Sequence, residues 1–216
     1  VQYLEWMKGL LTGNFGISLS SQQDITPLVL DRAQVTLLLI GLAIALALAG
    51  AIPMGILLAR FRLPVLNAAT QLGIAVPSFL VGIVLVAVFS VHLGWLPANG
   101  WQLPREGLSH LVLPVISLAL VQGAMLTRYV RATLIEEMGK DYIRTARSLG
   151  ESRTEALIRH GLRNAALPVL KVTGVQLSTL VVGAVVIENV FVIPGLGSML
   201  LDAVSSRDLI TVQTLI

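Results

Sequence analysis

Long uncharged, mostly apolar stretches alternate with short polar segments along the chain. The hydrocarbon core of a bilayer is ~30 Å thick, so a membrane-spanning helix needs ~20 mostly apolar residues. Five segments of the sequence fit or begin such a helix, at 33–59, 68–93, 107–127, 167–187 and from 209 onward. The pattern therefore predicts an all-α, polytopic membrane protein in which residues 1–216 form a single transmembrane domain.

The composition supports a membrane protein and excludes several kinds of chemistry. Hydrophobic residues make up 55% of the chain and charged residues 12%, which is about half of the charged share of a soluble domain. The chain has no cysteine, which excludes thiolate catalysis and cysteine-ligated zinc or iron–sulfur sites.

Most of the lysine and arginine residues fall in two predicted loops, 60–62 and 128–171. Short loops rich in lysine and arginine stay on the cytoplasmic side, so both loops are predicted to be cytoplasmic and residues 1–31 to lie outside. An outside first residue with neither a signal peptide nor an initiating Met predicts a preceding membrane helix. Together with the stretch from 209 onward, this gives about six expected spans in the intact protein.

The basic loop at 128–166 carries a patterned sequence. Gly150 stands at a position where a positive φ readily ends a helix. Ser152 and Glu155 form a capping box that opens a second, short helix. The first helix is predicted from apolar residues at helical spacing, namely Ile135, Met138, Tyr142, Ala146 and Leu149. The predicted unit is a helix, a glycine turn and a short capped helix.

Several functions are open to such a loop. A positive-inside anchor needs no patterned helices, and the interleaved acidic residues make a poor patch for lipid headgroups. Binding of nucleic acid is disfavoured because the loop is tethered to the membrane and has few interleaved aromatic residues. A solvated helical hairpin and a surface that docks another protein both fit the residues.

Short motifs along nearly the whole chain resemble one transporter family. Within the basic loop they are D-Y-I-R-T-A-R-S-L-G (141–150) and L-I-R-H-G-L-R-N-A-A-L-P (157–168). Elsewhere they are V-Q-Y-L-E-W-M-K-G-L-L-T-G-N-F-G-I-S-L (1–19), P-S-F-L-V-G (77–82), G-W-L-P-A-N-G (94–100) and E-N-V-F-V-I-P-G-L-G (188–197). In this order they resemble the permease subunits of ATP-binding-cassette importers, in the dipeptide/oligopeptide/nickel permease family.

The resemblance implies that the loop docks into a cleft of a separate ATPase subunit and passes motion to the membrane helices. Arg144, Thr145 and Ala146 occupy the E-A-A positions of the family motif. Arg144 thus replaces the glutamate, and Arg163 stands where a proline is common. The coupling residues implied by the resemblance are Asp141, Tyr142, Arg144, Thr145, Ala146, Gly150, His160 and Leu162.

The resemblance also implies a set of partners and a location. The partners are a second, similar permease, two ABC ATPase subunits and an extracytoplasmic solute-binding protein. The location is the inner (plasma) membrane, where the chain passes through the lipid bilayer several times. No nucleic acid is expected among the partners.

No catalytic or metal-binding motif is present in the sequence. Without a G-x-x-x-x-G-K-[ST] motif the chain has no phosphate-binding loop, so ATP and Mg²⁺ are expected on the partner ATPase and no cofactor on this chain. His92, His110 and His160 are scattered and do not have metal-ligand spacing. We therefore expect a protein that is not itself an enzyme.

A few polar residues lie within or at the end of the segment 167–187. They either form hydrogen bonds between helices or line a translocation path. They are Gln176, Ser178, Thr179, Glu188 and Asn189. Proline and glycine also interrupt several spans, which fits either ordinary helix packing in lipid or kinked helices along a moving pathway.

The function that these observations favour is the permease subunit of an ATP-driven importer for peptides or a nickel-type substrate. The alternative is a membrane-embedded scaffold or enzyme that docks a soluble partner through the same cytoplasmic helices. Dependence on ATP hydrolysis separates the two, because a scaffold binds its partner without nucleotide-linked motion.

Overall fold

The computed structural model describes residue 9 and residues 13–61, 63–101 and 107–216. Most of the opening segment that resembles the permease family lies outside these residues, as does Arg62 of the first predicted loop. The described part is helical, which confirms the all-α prediction. Its helices are α1 (Thr26–Arg60), α2 (Pro64–Ala75), α3 (Ser78–Leu85) with the π-helical segment Val86–His92, α4 (Gly107–Glu137), α5 (Asp141–Ser148), α6 (Arg153–Ala156) with the π-helical segment Leu157–Gly161, α7 (Leu162–Val190), α8 (Leu196–Ser205) and α9 (Leu209–Leu215).

Within the described residues, three helices are long and apolar enough to cross a membrane. They are α1 with 35 residues, α4 with 30 residues from Leu108, and the continuous stretch Arg153–Val190 with 38 residues. Each one contains a predicted span and extends beyond it. Charged side chains at a membrane boundary can reach water without ending the helix, so hydropathy locates the lipid-embedded part and not the helix ends.

The interval predicted as the second span, 68–93, is not one straight helix. α2 ends at Ala75, and the helix that begins at Ser78 is bent from it by 102°. Pro77 explains the break, because the residue before a proline avoids the α-region and Val76 is extended at φ −90° and ψ 123°. By contrast, Pro53 and Pro114 lie inside α1 and α4, which continue through them.

The prediction of one continuous helix across the first half of the basic loop is wrong. α4 continues to Glu137, a turn follows at 138–140, and α5 starts only at Asp141. Ile135 and Leu149, two members of the predicted apolar stripe, are 47% and 83% exposed. The buried side of α5 consists of Ile143 and Ala146. Apolar residues on both sides of the turn at 138–140 do not share one helix face, because the helix axis changes direction between α4 and α5.

The second predicted loop helix is likewise not a separate element. α6 continues through Leu157–Gly161 into α7 without a break, so the end of the basic loop is the beginning of a membrane-spanning helix. The prediction missed this because Arg159 and Arg163 interrupt the apolar pattern.

Small residues allow α1 and α4 to pack closely. Ala43, Ala47 and Ala51 recur every four residues on the buried side of α1, and Gly55 continues the row. A Cβ atom added at Gly55 would lie 2.5 Å from Val130 Cγ1 of α4, so the contact requires glycine. Rows of small residues of this kind are typical of helix pairs in membranes. α7 packs on the same pair through Leu180, Ala184 and Ile187.

Different segments of the chain lie at the two ends of the helical bundle. The end that holds the C-termini of α1 and α4 together with α5 and α6 is called the basic end. The end that holds residues 13–25, residues 94–101, α8 and the start of α9 is called the opposite end. Gly100 there donates a hydrogen bond to the Phe191 carbonyl at 3.0 Å, which ties the 94–101 segment to the end of α7.

Candidate functional site

The turn between α4 and α5 is fixed by a buried glutamate. Glu137, the last residue of α4, is 4% exposed. Its carboxylate accepts hydrogen bonds from Lys140 Nζ at 2.6 Å and from the Tyr142 hydroxyl at 2.5 Å. Because Lys140 and Tyr142 flank the start of α5, one side chain of α4 sets the direction in which α5 leaves the bundle. We call these three residues the Glu137 latch.

The latch changes the acidity of its two donors. The hydrogen bond to Glu137 raises the pKa of Lys140 above its ordinary value. Burial, followed by the hydrogen bond to Glu137, raises the pKa of Tyr142. Both donors therefore keep their protons near neutral pH, which their hydrogen bonds to the Glu137 carboxylate require. Sequence reasoning singled out Tyr142 and missed Glu137, although an acid three residues before a lysine is a visible pattern in a predicted helix.

The C-terminal end of α5 is fixed by the predicted glycine turn. Gly150 has φ +102°, which confirms the positive φ expected from the sequence. Its N–H donates to the Arg147 carbonyl at 3.1 Å, and the Glu151 N–H donates to the Ala146 carbonyl at 3.2 Å. This pair of bonds is the Schellman motif. The Ser152 half of the predicted capping box is confirmed, since the Ser152 hydroxyl oxygen accepts a hydrogen bond from the Glu155 N–H at 3.2 Å.

Glu151 connects the glycine turn to the second half of the motif. One of its oxygens lies 3.2 Å from His160 Nε2 and 3.5 Å from an Arg159 guanidinium nitrogen. Leu162 is half-buried and packs on the cluster of Val130, Leu134, Leu157 and Ala165. The structure therefore brings the residues of the two loop motifs into one compact unit, against the ends of α4 and α7.

The outer face of α5 carries most of the remaining predicted coupling residues. The side chains of Asp141 and Arg144 are 94% and 78% exposed, and Thr145 is exposed beside them. Asp141 and Arg144 lie 3.5 Å apart, but an ion pair so accessible to water contributes little to stability. The fold thus presents these charges on a rigid helix and leaves them available to a partner, whereas Ala146 faces inward.

The polar residues predicted along a translocation path occupy different surroundings. Gln176 is buried, and its amide nitrogen lies 3.4 Å from the Met125 sulfur of α4. The Thr179 hydroxyl donates to the Gln176 carbonyl oxygen at 3.3 Å. Ser178 and Asn189 are exposed on α7. Thr179 is exposed as well, and its bond to Gln176 joins two residues that lie three positions apart on α7. The place of these residues on a pathway stays a prediction.

Glu188 joins three helices at the opposite end. It is 0% exposed. Its carboxylate accepts hydrogen bonds from the Thr36 hydroxyl of α1 at 2.5 Å and from the Ser198 N–H of α8 at 3.0 Å. The Thr36 oxygen in turn accepts from the Leu196 N–H at 2.8 Å. Glu188 and Thr36 together therefore supply acceptors to N–H groups at the start of α8 that have no acceptor within the helix.

The two glycines of the P-G-L-G stretch make room for that carboxylate. A Cβ atom at Gly195 would collide with the carboxyl group of Glu188. A Cβ atom at Gly197 would lie 2.5 Å from the Cα of Val185 on α7. The resemblance motif at 188–197 is therefore explained by packing, because the glutamate at its start and the glycines at its end occupy adjoining space.

A second buried carboxylate at the opposite end, which the sequence did not reveal, lies at the start of α9. Asp208 accepts hydrogen bonds from the hydroxyl of Ser18, from the Leu19 N–H at 3.2 Å and from the Thr211 N–H at 3.3 Å. Burial alone would raise the pKa of Asp208, but these hydrogen bonds outweigh it and hold the pKa well below its usual range. The aspartate thereby holds residues 18–19 against the start of α9 by hydrogen bonds.

Comparison with known proteins identifies the family. Residues 51–216 match the family described as "Binding-protein-dependent transport system inner membrane component". The oligopeptide transport system permease protein AppB of Bacillus subtilis strain 168 is 36% identical over 219 residues, which cover 96% of this chain and 69% of that protein. The glutathione transport system permease protein GsiC of Escherichia coli strain K12 is 36% identical over 219 residues, which cover 98% of this chain and 69% of that protein.

The family match covers the last part of α1, the later membrane helices, the basic loop and the P-G-L-G stretch. The named relatives are permease components of transport systems and not enzymes. This chain therefore belongs to the inner membrane components of binding-protein-dependent transport systems, as a multi-pass permease of a peptide-type ATP-binding-cassette importer.

Proposed function

We propose that this chain, paired with a second similar permease, forms the translocation pathway for peptides and is driven by two ATPase subunits that dock on its basic loop. The basic end faces the cytoplasm, and the opposite end faces the extracytoplasmic solute-binding protein. ATP and Mg²⁺ are bound by the ATPase subunits, and this chain holds no cofactor. The membrane is the inner (plasma) membrane of a bacterium.

The observation that carries this proposal is the rigid attachment of α5 to two membrane-spanning helices. The Glu137 latch fixes the start of α5 to α4. The Schellman turn and Ser152 fix its end to a helix that continues, without a linker, from Arg153 to Val190. A partner that displaces α5 therefore displaces the ends of two spans, as alternating access requires.

The chemistry of the exposed face of α5 suits a partner cleft that contains carboxylates. Arg144 and Arg147 are both exposed, and arginine forms strong, paired hydrogen bonds with carboxylates once water is excluded. The replacement of the motif glutamate by Arg144 thus predicts an acidic residue on the ATPase opposite it. The coupling residues Asp141, Tyr142, Arg144, Thr145, Ala146, Gly150, His160 and Leu162 act in this proposal as one docking unit.

Peptides are the better-supported cargo of the two that the sequence suggested. The names of the relatives specify oligopeptide and glutathione transport, and glutathione is itself a peptide. These names describe the relatives, and by their similarity they favour peptides over a nickel-type substrate for this chain.

The proposal is tested with the assembled importer, containing this chain, its second permease, the ATPase subunits and the binding protein, in proteoliposomes. Glu137→Ala removes the latch, and we expect ATP-driven uptake of a random tripeptide mixture to fall about tenfold, because Lys140 and Tyr142 lose the buried acceptor that fixes the start of α5. Glu136→Ala is the matched control, since Glu136 is the exposed neighbour on the same turn, and it should keep uptake within about twofold.

Three outcomes decide between the functions. Uptake that depends on ATP and on Glu137 supports a coupled permease. Equal uptake by both variants contradicts the role of the latch in coupling. Stable binding of a soluble partner with no ATP-driven uptake by the unmodified assembly would instead support the scaffold function and overturn the importer.

A further inference from the structure

A polar cavity opens at the opposite end of the bundle, beside the buried Glu188. Its volume is about 330 Å³, near the lower end of the range for small-ligand pockets. Its wall is formed by the second turn of α1, the end of α7 and α8. The polar residues that line it are Arg32, Glu188, Asn189, Ser198 and Asp202.

The guanidinium group of Arg32 is the cationic group of this cavity. It donates one hydrogen bond, to the Ser198 hydroxyl oxygen at 3.1 Å. Among the described residues no carboxylate lies within ion-pair distance of Arg32, although its charge is near enough to Glu188 to attract that carboxylate electrostatically. Both Glu188 oxygens already accept hydrogen bonds, from Thr36 and from the Ser198 N–H. Since a guanidinium carries five N–H donors, Arg32 retains donors for an anion in the cavity.

Hydrogen bonds within the protein fix the backbone of the cavity wall around Val192. Val192, which lines the cavity, has φ +53°, a conformation that is costly for a β-branched residue. The surrounding bonds hold it there, because the Ile193 N–H donates to the Glu188 carbonyl at 2.8 Å and the Gly195 N–H to the Ile193 carbonyl at 2.9 Å. Together with the bond from the Val192 N–H to the Asn189 carbonyl at 3.3 Å, the first of these bonds forms a Schellman turn that ends α7 and fixes this wall of the cavity.

We infer that this cavity is a subsite for the terminal carboxylate of the peptide cargo, with Arg32 as the group that binds it. A planar guanidinium matches a carboxylate in a two-bond geometry. The exposed Asp202 and the Asn189 side chain lie on the other walls and accept N–H groups of the same peptide. The inference rests on the proposed peptide-importer function. A carboxylate could also come from an acidic side chain of the docked binding protein, so the test separates these two sources.

The experiment compares free and blocked carboxylates in the assembled importer in proteoliposomes. The cargo is an equimolar mixture of random tripeptides with free C-termini and the same tripeptides as C-terminal amides. For the unmodified importer we expect ATP-driven uptake to favour the free acids by about tenfold, as for one charge-assisted hydrogen-bonded pair. In Arg32→Gln the ratio of acid to amide uptake should fall to near one, and in Arg32→Lys it should recover in part.

Arg207→Gln is the matched control. Arg207 is an exposed arginine beside α8 at the same end of the molecule, and it does not line the cavity. Its substitution removes the same charge and should leave the ratio unchanged. Because every variant uses the same binding protein, a change seen only in Arg32→Gln belongs to the permease.

Each outcome is decisive. If Arg32→Gln keeps the acid preference of the unmodified importer, the subsite is overturned although the importer function stands. If Arg32→Gln lowers the uptake of acids and amides equally, and also weakens pull-down of the permease by the binding protein, the arginine binds that protein and not the cargo. If the unmodified importer takes up no tripeptide, the proposed function itself fails.

Discussion

Replacing Gly150 with proline is expected to abolish ATP-driven uptake while the chain still inserts into the membrane. Gly150 has φ +102°, and its N–H bonds to the Arg147 carbonyl. Proline has no N–H and fixes φ near −65°, so it destabilises the turn by about 3 kcal/mol or more. This free energy corresponds to about a hundredfold decrease in the population of the correctly formed loop. The readout is uptake by the assembled importer, together with the amount of this chain recovered from the membrane fraction.

Gly150→Asn provides the control for this prediction. Asparagine tolerates a positive φ better than other residues with a side chain, and no atom lies within 4 Å of the position its Cβ would occupy. Gly150→Asn should therefore retain most of the uptake. Full uptake by Gly150→Pro would contradict the assignment of the loop as the coupling element, whereas loss of the chain from the membrane would show a folding role.

Removal of the Glu188 carboxylate is expected to cause the largest loss of stability among side-chain truncations at the opposite end. Glu188→Ala leaves the buried Thr36 hydroxyl and the Ser198 N–H without their acceptor. Hydrogen bonds to charged groups contribute about 1.5–3 kcal/mol each, so we expect a loss of about 3 kcal/mol. In a chain of this length that lowers Tm by about 10 °C, measured by thermal unfolding in detergent.

A double-substitution cycle with Gly195 makes this prediction specific. Gly195→Ala alone should destabilise the protein, because its Cβ would collide with the Glu188 carboxyl group. In the Glu188→Ala background that collision is gone, so the two losses should not add. Strict additivity would show that the two residues do not share the space that the structure assigns them. Glu136→Ala, which removes an exposed glutamate at the other end of the molecule, should leave Tm nearly unchanged.

Helix caps and turns were the parts of the fold that could be predicted most closely from the sequence. The positive φ of Gly150 and the cap at Ser152 follow from rules that involve only a few neighbouring residues. The approximate positions of the three long helices follow from hydropathy, since lipid demands about 20 apolar residues wherever the chain crosses.

Features that depend on helix direction were harder to predict. The apolar residues from Ile135 to Leu149 keep the spacing of a helix in the sequence across the turn at 138–140. The backbone of Lys140 is nevertheless extended, at φ −77° and ψ 155°. The break at Pro77 was visible as a proline, but prolines at 53 and 114 lie within unbroken helices. Residue type alone does not distinguish these cases, because neighbouring helices decide whether the chain continues.

Buried polar residues with distant partners could not be found by sequence pattern at all. Glu188 meets Thr36 across 152 positions of the chain, and Asp208 meets Ser18 across 190. Sequence reasoning placed Glu188 among the candidates for a translocation path, which stays a prediction, and did not consider Thr36 or Asp208. Such pairs are products of the tertiary fold, and only the packed arrangement of the helices shows which carboxylates are enclosed.

The central claim, that the exposed face of α5 contacts an ATPase subunit, is tested most directly by site-specific cross-linking. The chain has no cysteine, so Thr145→Cys provides its only thiol, on the exposed face of α5, for a maleimide photo-cross-linker. Asn99→Cys, exposed at the opposite end, is the control. We predict a covalent product between the probe at 145 and an ATPase subunit in the assembled importer, and none from 99. If the probe at 145 yields no ATPase product, or no more than the control, the docking assignment is contradicted.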